Sequence, residues 1–344
     1  MTYAILFHPG HNRVYFDAAL QFAAAEFSVV TERFAVPCEN PRTARIGGVP
    51  YLCFEAASPL PDAALRAVCG LSFVYALFTL EDAPTRLCPL ERTNTPYINE
   101  GMGSMLKYTG KTNELFTRML LNLALAAQDT REPVRLLDPL AGKGTTLFEG
   151  LVKGYDVYGV EIGEKVTAEA CRFLTRFLQE EKYKFEQKTL RLSGADKAFS
   201  AVRHNFVLAA SKEDFKAKRI KTAELIAGSS QFADRYFKKN FFDILVSDLP
   251  YGVQHGNVTN EGQCSLTRNP SALLEACLPA WTAVLKPGGA MALSWNAHVL
   301  PRAKMVQLLE KHCLAVREGG AYAQFAHRVD QAILRDVVLA TKKK

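Results

Sequence analysis

The stretch Leu136-Leu137-Asp138-Pro139-Leu140-Ala141-Gly142-Lys143-Gly144-Thr145-Thr146 decides the fold. An apolar run of strand length, residues 134–137, enters a glycine turn, and the turn enters a helical pattern over 145–153 that Gly154 stops. In doubly wound sheets such a turn lies at the carboxyl end of the first strand, where ligands bind. Gly142 and Gly144 let the backbone bend tightly and approach a ligand. The next strand run, 157–162, carries Glu161 and Ile162 at its end, and Glu161 follows Gly142 by 19 residues. An acidic residue ~20 positions on is placed to accept the hydroxyl protons of a ribose.

Working outward, strands and helices alternate. The spacing predicts a helix over 165–181, strands over 222–227 and 243–247, a helix over 271–285 ended by Lys286-Pro287-Gly288-Gly289, and a strand over 290–295. Two last strands, 314–317 and 331–340, are close enough to pair antiparallel. This is an α/β pattern: a Rossmann-like, mostly parallel sheet with helices on both faces and an antiparallel last strand. A helix ahead of it buries a stripe of Leu115, Phe116, Met119, Leu120 and Leu123, with Thr112 or Asn113 as its cap. The first ~90 residues read β-α-β-β-α-β, with strands at 3–7, 33–36, 49–56 and 72–80 and helices at 13–27 and 62–68. That order predicts a small α+β ferredoxin-like domain. Residues 81–110, rich in Pro, Asn, Thr and Gly, read as a linker. The expected division is therefore 1–95 and 96–344.

Three ligands compete for the glycine turn. A dinucleotide asks for G-x-G-x-x-G, but position 147 is Leu. A nucleoside triphosphate asks for G-x-x-x-x-G-K-[ST]; Gly110-Lys111-Thr112 offers only the end of that motif, with Met105 where its first glycine belongs and no strand before it. S-adenosylmethionine has a ribose and an adenine but no pyrophosphate, so it does not need the third glycine. Asp138 adds a carboxylate for its ammonium group.

Composition narrows the class. With 48% hydrophobic and 22% charged residues the chain can bury a core without staples. Residues 182–221 hold 11 Lys/Arg against 4 Asp/Glu, which accounts for the whole formal charge of +7. Such a local excess suits a polyanion partner or, equally, a solvated surface insertion. The eight cysteines include no C-x-x-C pair and no histidine at zinc-ligand spacing, so no metal site is expected. Several lie in apolar runs, as reduced core cysteines of a cytoplasmic protein do. No signal peptide is expected, and the densest apolar run, 71–80, is short of the ~20 residues a membrane span needs.

After the fourth strand of the α/β pattern stands Ser247-Asp248-Leu249-Pro250-Tyr251-Gly252. Asp-x-Pro-Tyr in this position resembles the [DNS]-P-P-[YFW] motif of class I amino-group methyltransferases that act on DNA, RNA or proteins. Asp-Leu-Pro-Tyr-Gly resembles in particular the tRNA guanosine-N2 methyltransferase group, whose members often carry a THUMP RNA-binding domain. The glycine turn, Lys286-Pro287-Gly288-Gly289 and His327-Arg328-Val329-Asp330 are similar to that group too, and the resemblance spans roughly 97–340. It implies a class I methyltransferase sheet, S-adenosylmethionine as cofactor and an RNA substrate. It also implies that the Asp248 carboxylate and the Leu249 carbonyl accept the two N–H groups of a base amine, with Pro250 holding Leu249 extended and Tyr251 stacking on the base. A duplex base must swing out to reach such a site. The expected cofactor contacts are Asp138, Pro139, Ala141, Gly142, Gly144, Thr145, Glu161 and Ile162, with Ser229 and Ser230 where relatives often carry an acidic residue near the adenine. Residues 107–112 are placed to meet the methionine end of the cofactor or to cap the following helix. His255, Trp295, His327 and Asp330 are weaker site candidates. The first ~95 residues leave little room for a THUMP domain beside the ferredoxin-like pattern, so the basic segment is the candidate grip on RNA. Two other functions fit the same residues: DNA adenine or cytosine amine methylation, and RNA binding without catalysis.

Overall fold

A computed structural model describes residues 1–9, 13–82, 85–93, 95–106, 108, 111–128, 133–194, 199–251 and 270–344. The N-terminal part runs β1 (Thr2–Phe7), α1 (Arg13–Thr31), β2 (Cys38–Ile46), β3 (Val49–Ala56), α2 (Asp62–Cys69), β4 (Val74–Asp82) and β5 (Thr85–Leu90). Its sheet order is β2-β3-β1-β4-β5, with every pair antiparallel. The first four strands have the ferredoxin-like arrangement that the sequence pattern predicts. Two departures have local causes. Residues 33–36 turn rather than pair, because α1 runs on to Thr31 and the strand starts after Pro37. β2 is a mostly exposed edge strand, so it lacks the apolar signature that marks β1 and β3. The expected linker gives up residues 85–90 to β5, which hairpins onto β4.

Next come α3 (Met102–Met105) and α4 (Glu114–Ala127), followed by the large sheet: β6 (Arg135–Asp138), α5 (Thr145–Val152), β7 (Asp156–Glu161), α6 (Glu164–Glu180), β8 (Lys184–Ser193), β9 (Ser200–Ala209), α7 (Lys212–Lys216), β10 (Lys221–Ala227), α8 (Ala233–Tyr236), β11 (Phe242–Asp248), α9 (Pro270–Val284), β12 (Leu285–Asn296), α10 (Arg302–Lys311), β13 (Leu314–Arg317), β14 (His327–Arg328) and β15 (Leu334–Lys342). The order is β13-β15-β12-β11-β6-β7-β10-β9-β8. The five strands from β12 to β10 are parallel, and β15 inserts antiparallel between β12 and β13. This is the doubly wound, class I methyltransferase arrangement. The basic segment is not a loose insertion. β8 and β9 form a long hairpin that extends the sheet antiparallel from β10.

The strand order reverses between β6 and β11, so the carboxyl ends of β6, β7, β11 and β12 open one crevice. One core continues from the N-terminal sheet into the large one, joining Phe22, Phe27 and Phe54 to Phe116, Leu136 and Phe148. Among the described residues no helix is long and apolar enough to cross a membrane, and no disulfide joins the seven described cysteines.

Candidate active site

Two clusters of side chains meet in the crevice. In the first, Asp138 ends β6 and is 3% exposed. Its Oδ1 accepts from the Leu140 N–H at 3.1 Å and from the Ser247 hydroxyl at 2.8 Å. Burial pushes its carboxyl up to about 6, against hydrogen bonds that lower it. Gly142 and Gly144 stand at φ +51° and +92°, conformations that favour glycine. A side chain at Gly142 would project into open space, so the turn presents bare backbone to the crevice. Glu161, at the end of β7, accepts from the Gly142 N–H at 3.0 Å and from the Gly163 N–H at 2.7 Å. The spacing of 19 residues thus closes into direct contact. Ile162 beside it leaves 54% of its surface exposed, an apolar wall at the mouth.

Pro139 and Ala141 are buried in the turn, where the Ala141 N–H donates to the Val160 carbonyl at 2.9 Å. Thr145 opens α5, and its hydroxyl lies 3.2 Å from that of Tyr108. Lys143 pairs with Glu169 at 2.7 Å rather than reaching for a phosphate. Ser229 is half-buried; the buried Ser230 hydroxyl accepts from the Trp281 indole at 2.9 Å. The donor set fits S-adenosylmethionine: Glu161 for a ribose, Ile162 for an adenine face, Asp138 for an ammonium, while the lysine of the turn, Lys143, is held by Glu169.

The second cluster is built on Asp248, at the end of β11. Its Oδ2 accepts from the Thr112 hydroxyl at 2.6 Å and lies 3.9 Å from an Arg335 guanidinium nitrogen. Its Oδ1 accepts from the Tyr251 hydroxyl at 2.6 Å and from the Ser294 hydroxyl. Burial, then the Asp248 charge, push the Tyr251 hydroxyl well above the usual phenol range. Leu249 buries its side chain in the core and donates its N–H to the Ser294 carbonyl at 2.8 Å. Among the described residues its carbonyl accepts no backbone hydrogen bond. The Arg335 guanidinium, on β15, stacks 4.3 Å from the Phe116 ring and 5.1 Å from the Tyr251 ring. Its Nε is buried without a partner.

Sequence patterns pointed to the motif but not to its surroundings. Asn113 caps α4, its side chain accepting from the Leu115 and Phe116 N–H groups, which frees Thr112 to reach Asp248. Ser294 and Asn296 are polar positions at the end of an otherwise apolar strand, and Arg335-Asp336 interrupts the apolar run of β15. A buried charge in an apolar strand demands a partner, and that was the available signal. Trp295 is core, its indole bonded to the Leu300 carbonyl at 2.7 Å. His327 packs its ring 5.5 Å from Phe116 and 5.3 Å from Phe22 of α1. Asp330 closes a turn by accepting from the Ala332 N–H. Lys107, Gly110, Gly252 and His255 lie outside the described residues.

The basic segment is not at the crevice as a whole. Lys212, Lys216, Lys218, Arg219 and Lys221 lie at or just before the start of β10, whose far end, Ala227, pairs beside Glu161. Seven residues of strand put roughly 20 Å between the two ends. Arg219 is also paired with Asp214 at 2.6 Å. Among the described residues no group of His, Cys, Asp and Glu is arranged to hold a metal.

Residues 106–308, more than half of the chain, match the model of UPF0020, the RMKL-like methyltransferase domain. The chain belongs to that family. No curated protein matches it in sequence. Among solved structures, TrmN from Thermus thermophilus is 14% identical with a TM-score of 0.44, covering 99% of this chain and 99% of that one. A TehB-like SAM-dependent methyltransferase from Corynebacterium glutamicum is 15% identical with a TM-score of 0.35, over 67% and 97%. The T. thermophilus 16S rRNA N2 G1207 methyltransferase RsmC, in complex with AdoMet and guanosine, is 15% identical with a TM-score of 0.36, over 88% and 58%. In this UPF0020 chain the matched region contains the glycine turn, Glu161 and the Asp248–Tyr251 motif.

Proposed function

We propose that the chain transfers a methyl group from S-adenosylmethionine to the exocyclic amine of an RNA base, guanine N2 in tRNA or rRNA. The observation that carries this reading is the link between the two clusters: Ser247 donates to Asp138, and the next residue is Asp248. The cofactor, when bound, supplies the electrophilic methyl. The protein's task is to hold the acceptor amine beside it. A base amine is a poor nucleophile because its lone pair is delocalised into the ring. Acceptors on both N–H groups draw that pair out of conjugation and aim it. In this reading Asp248 and the Leu249 carbonyl are those acceptors, with the Tyr251 ring as the stacking face. Guanine is favoured by the wording Asp-Leu-Pro-Tyr-Gly. In this reading residues 1–95 scaffold the catalytic part, 96–344, or recognise RNA for it.

Among the described residues Thr112, Tyr251 and Ser294 donate to Asp248, and Arg335 stands at ion-pair distance. The incoming amine therefore displaces at least one, and the Tyr251 hydroxyl is the one on a side chain that must also turn its face to the base. Arg335 serves as a positioning residue, holding ring and carboxylate together.

Transfer of labelled methyl from S-adenosylmethionine to total RNA against genomic DNA tests the reading. Label is expected in RNA, recovered as N2-methylguanosine. Label in DNA would favour the DNA-amine reading, and RNA binding without label the non-catalytic one. A pH effect follows from Asp138. A bound ammonium group needs the carboxylate ionised, and its carboxyl is raised to about 6. Cofactor affinity is therefore expected to be flat above pH 7 and to fall below about pH 6, approaching tenfold per unit. Calorimetry across pH 5–8 checks this, and Asp138→Asn should flatten the profile.

A further inference from the structure

The seam between the two sheets holds a cavity of about 440 Å³, on the side of α5 away from the crevice. Four cationic side chains line it: Arg66 from α2, Arg92, Arg118 from α4, and Lys153 at the end of α5. One acid, Glu100, lines it with them. Arg92 and Glu100 pair through both guanidinium nitrogens, at 3.2 and 3.1 Å. Arg118 turns its Nε to Glu149 at 3.2 Å, which leaves its two terminal nitrogens for a ligand.

Arg66 and Lys153 have no carboxylate partner among the described residues. Lys153 donates to the Asn122 side-chain oxygen at 2.7 Å. The Asn122 amide nitrogen is already spent on Glu26 and on the Gly70 carbonyl. Glu26 itself lies outside the cavity lining, fully engaged by Ser72 and Asn122. Burial, then the neighbouring Arg118, hold the Lys153 ammonium down at about 8. Lys153 thus has no carboxylate at ion-pair distance among the described residues, Glu149 and Glu26 acting on it only from further off, and the cavity lining sets four cations against one acid. Arg66 is exposed and Arg92 41% exposed, so both stand at the mouth; Asn122, at 8%, lies at the floor.

We propose that this cavity is a phosphate-binding site, taking one phosphate group between Arg66 and the Arg118 terminal nitrogens with Lys153 beneath. Guanidinium forks suit phosphate oxygens, and a dianion matches the excess of cations over the one acid in the lining. The group could come from an RNA backbone or from free phosphate or a small phosphate ester; the chemistry is shared.

Equilibrium dialysis of the full chain against labelled inorganic phosphate, at constant ionic strength, tests the site. One saturable site per chain is expected, weakened at least about tenfold by Arg66→Gln and by Lys153→Met. Arg66 lies on the surface, so its variant keeps the fold, and thermal unfolding checks both. Neither measurement depends on methyl transfer. Absence of saturable binding, binding unchanged in both variants, or equal displacement by chloride overturns the proposal. With binding established, competition by tRNA assigns the site to backbone phosphate, and its absence assigns it to a free phosphate compound.

Discussion

Replacing Asp248 by Asn is expected to cut methyl transfer by about 10³-fold, since a charged acceptor aimed at the reacting group is lost in a site built around it. Asparagine is the informative choice. It matches aspartate in shape, and its oxygen can still accept from Thr112 or Ser294, so the hub of hydrogen bonds is only partly broken. Its amide nitrogen, however, would face a donor wherever it meets the substrate amine. Cofactor affinity should stay within about twofold, because the glycine turn and Glu161 are untouched. Single-turnover transfer with calorimetry on the same preparation separates the two effects. Transfer within tenfold of the unaltered chain would remove Asp248 from the mechanism. Loss of cofactor binding would relocate its role to the first cluster.

The second large effect is expected at Arg335. Its methionine variant keeps an unbranched apolar stem but withdraws the guanidinium from between two rings and from Asp248. A loss of roughly 10²-fold in kcat/KM is expected, the scale of a small misplacement of reacting groups. Lysine at the same position separates the causes. It keeps a positive charge near Asp248 but cannot stack as a plane, so partial rescue assigns the effect to charge and no rescue to the stack. If the damage lies in presenting the base, KM for RNA rises more than kcat falls, while cofactor binding holds. Unaltered kinetics in both variants would make Arg335 a purely structural residue.

The frame of this protein was legible because its parts are local. Leu136 to Thr146 is one strand, one turn and one helix start, and it folds as it reads. Glu161 was legible at a distance because the next strand must end beside the turn. The Asp248–Tyr251 segment was legible because it resembles a known motif. The partners of Asp248 other than Tyr251 were not, since they come from 136 residues upstream and from 46 and 87 downstream, and only the sheet order brings them together. Thr112 was read as a cap or cofactor contact because a threonine before a helix usually is a cap; Asn113 takes that task. The charge of the basic segment was legible, but its place in the sheet was not. Its lysines are real, but antiparallel pairing sends β9 back to the end of the sheet away from the crevice.

The contact of His327 with both Phe22 and Phe116 has a consequence for how the chain can be divided. Phe22 belongs to the N-terminal helix, Phe116 backs Arg335, and Arg335 backs Tyr251. The Tyr251 ring, the proposed stacking face, therefore rests four side chains deep on a path that ends outside the motif-bearing part of the chain. A fragment beginning at residue 96 would retain every signature of a methyltransferase and lose the footing under one of them. Motif boundaries and mechanical boundaries differ in this chain.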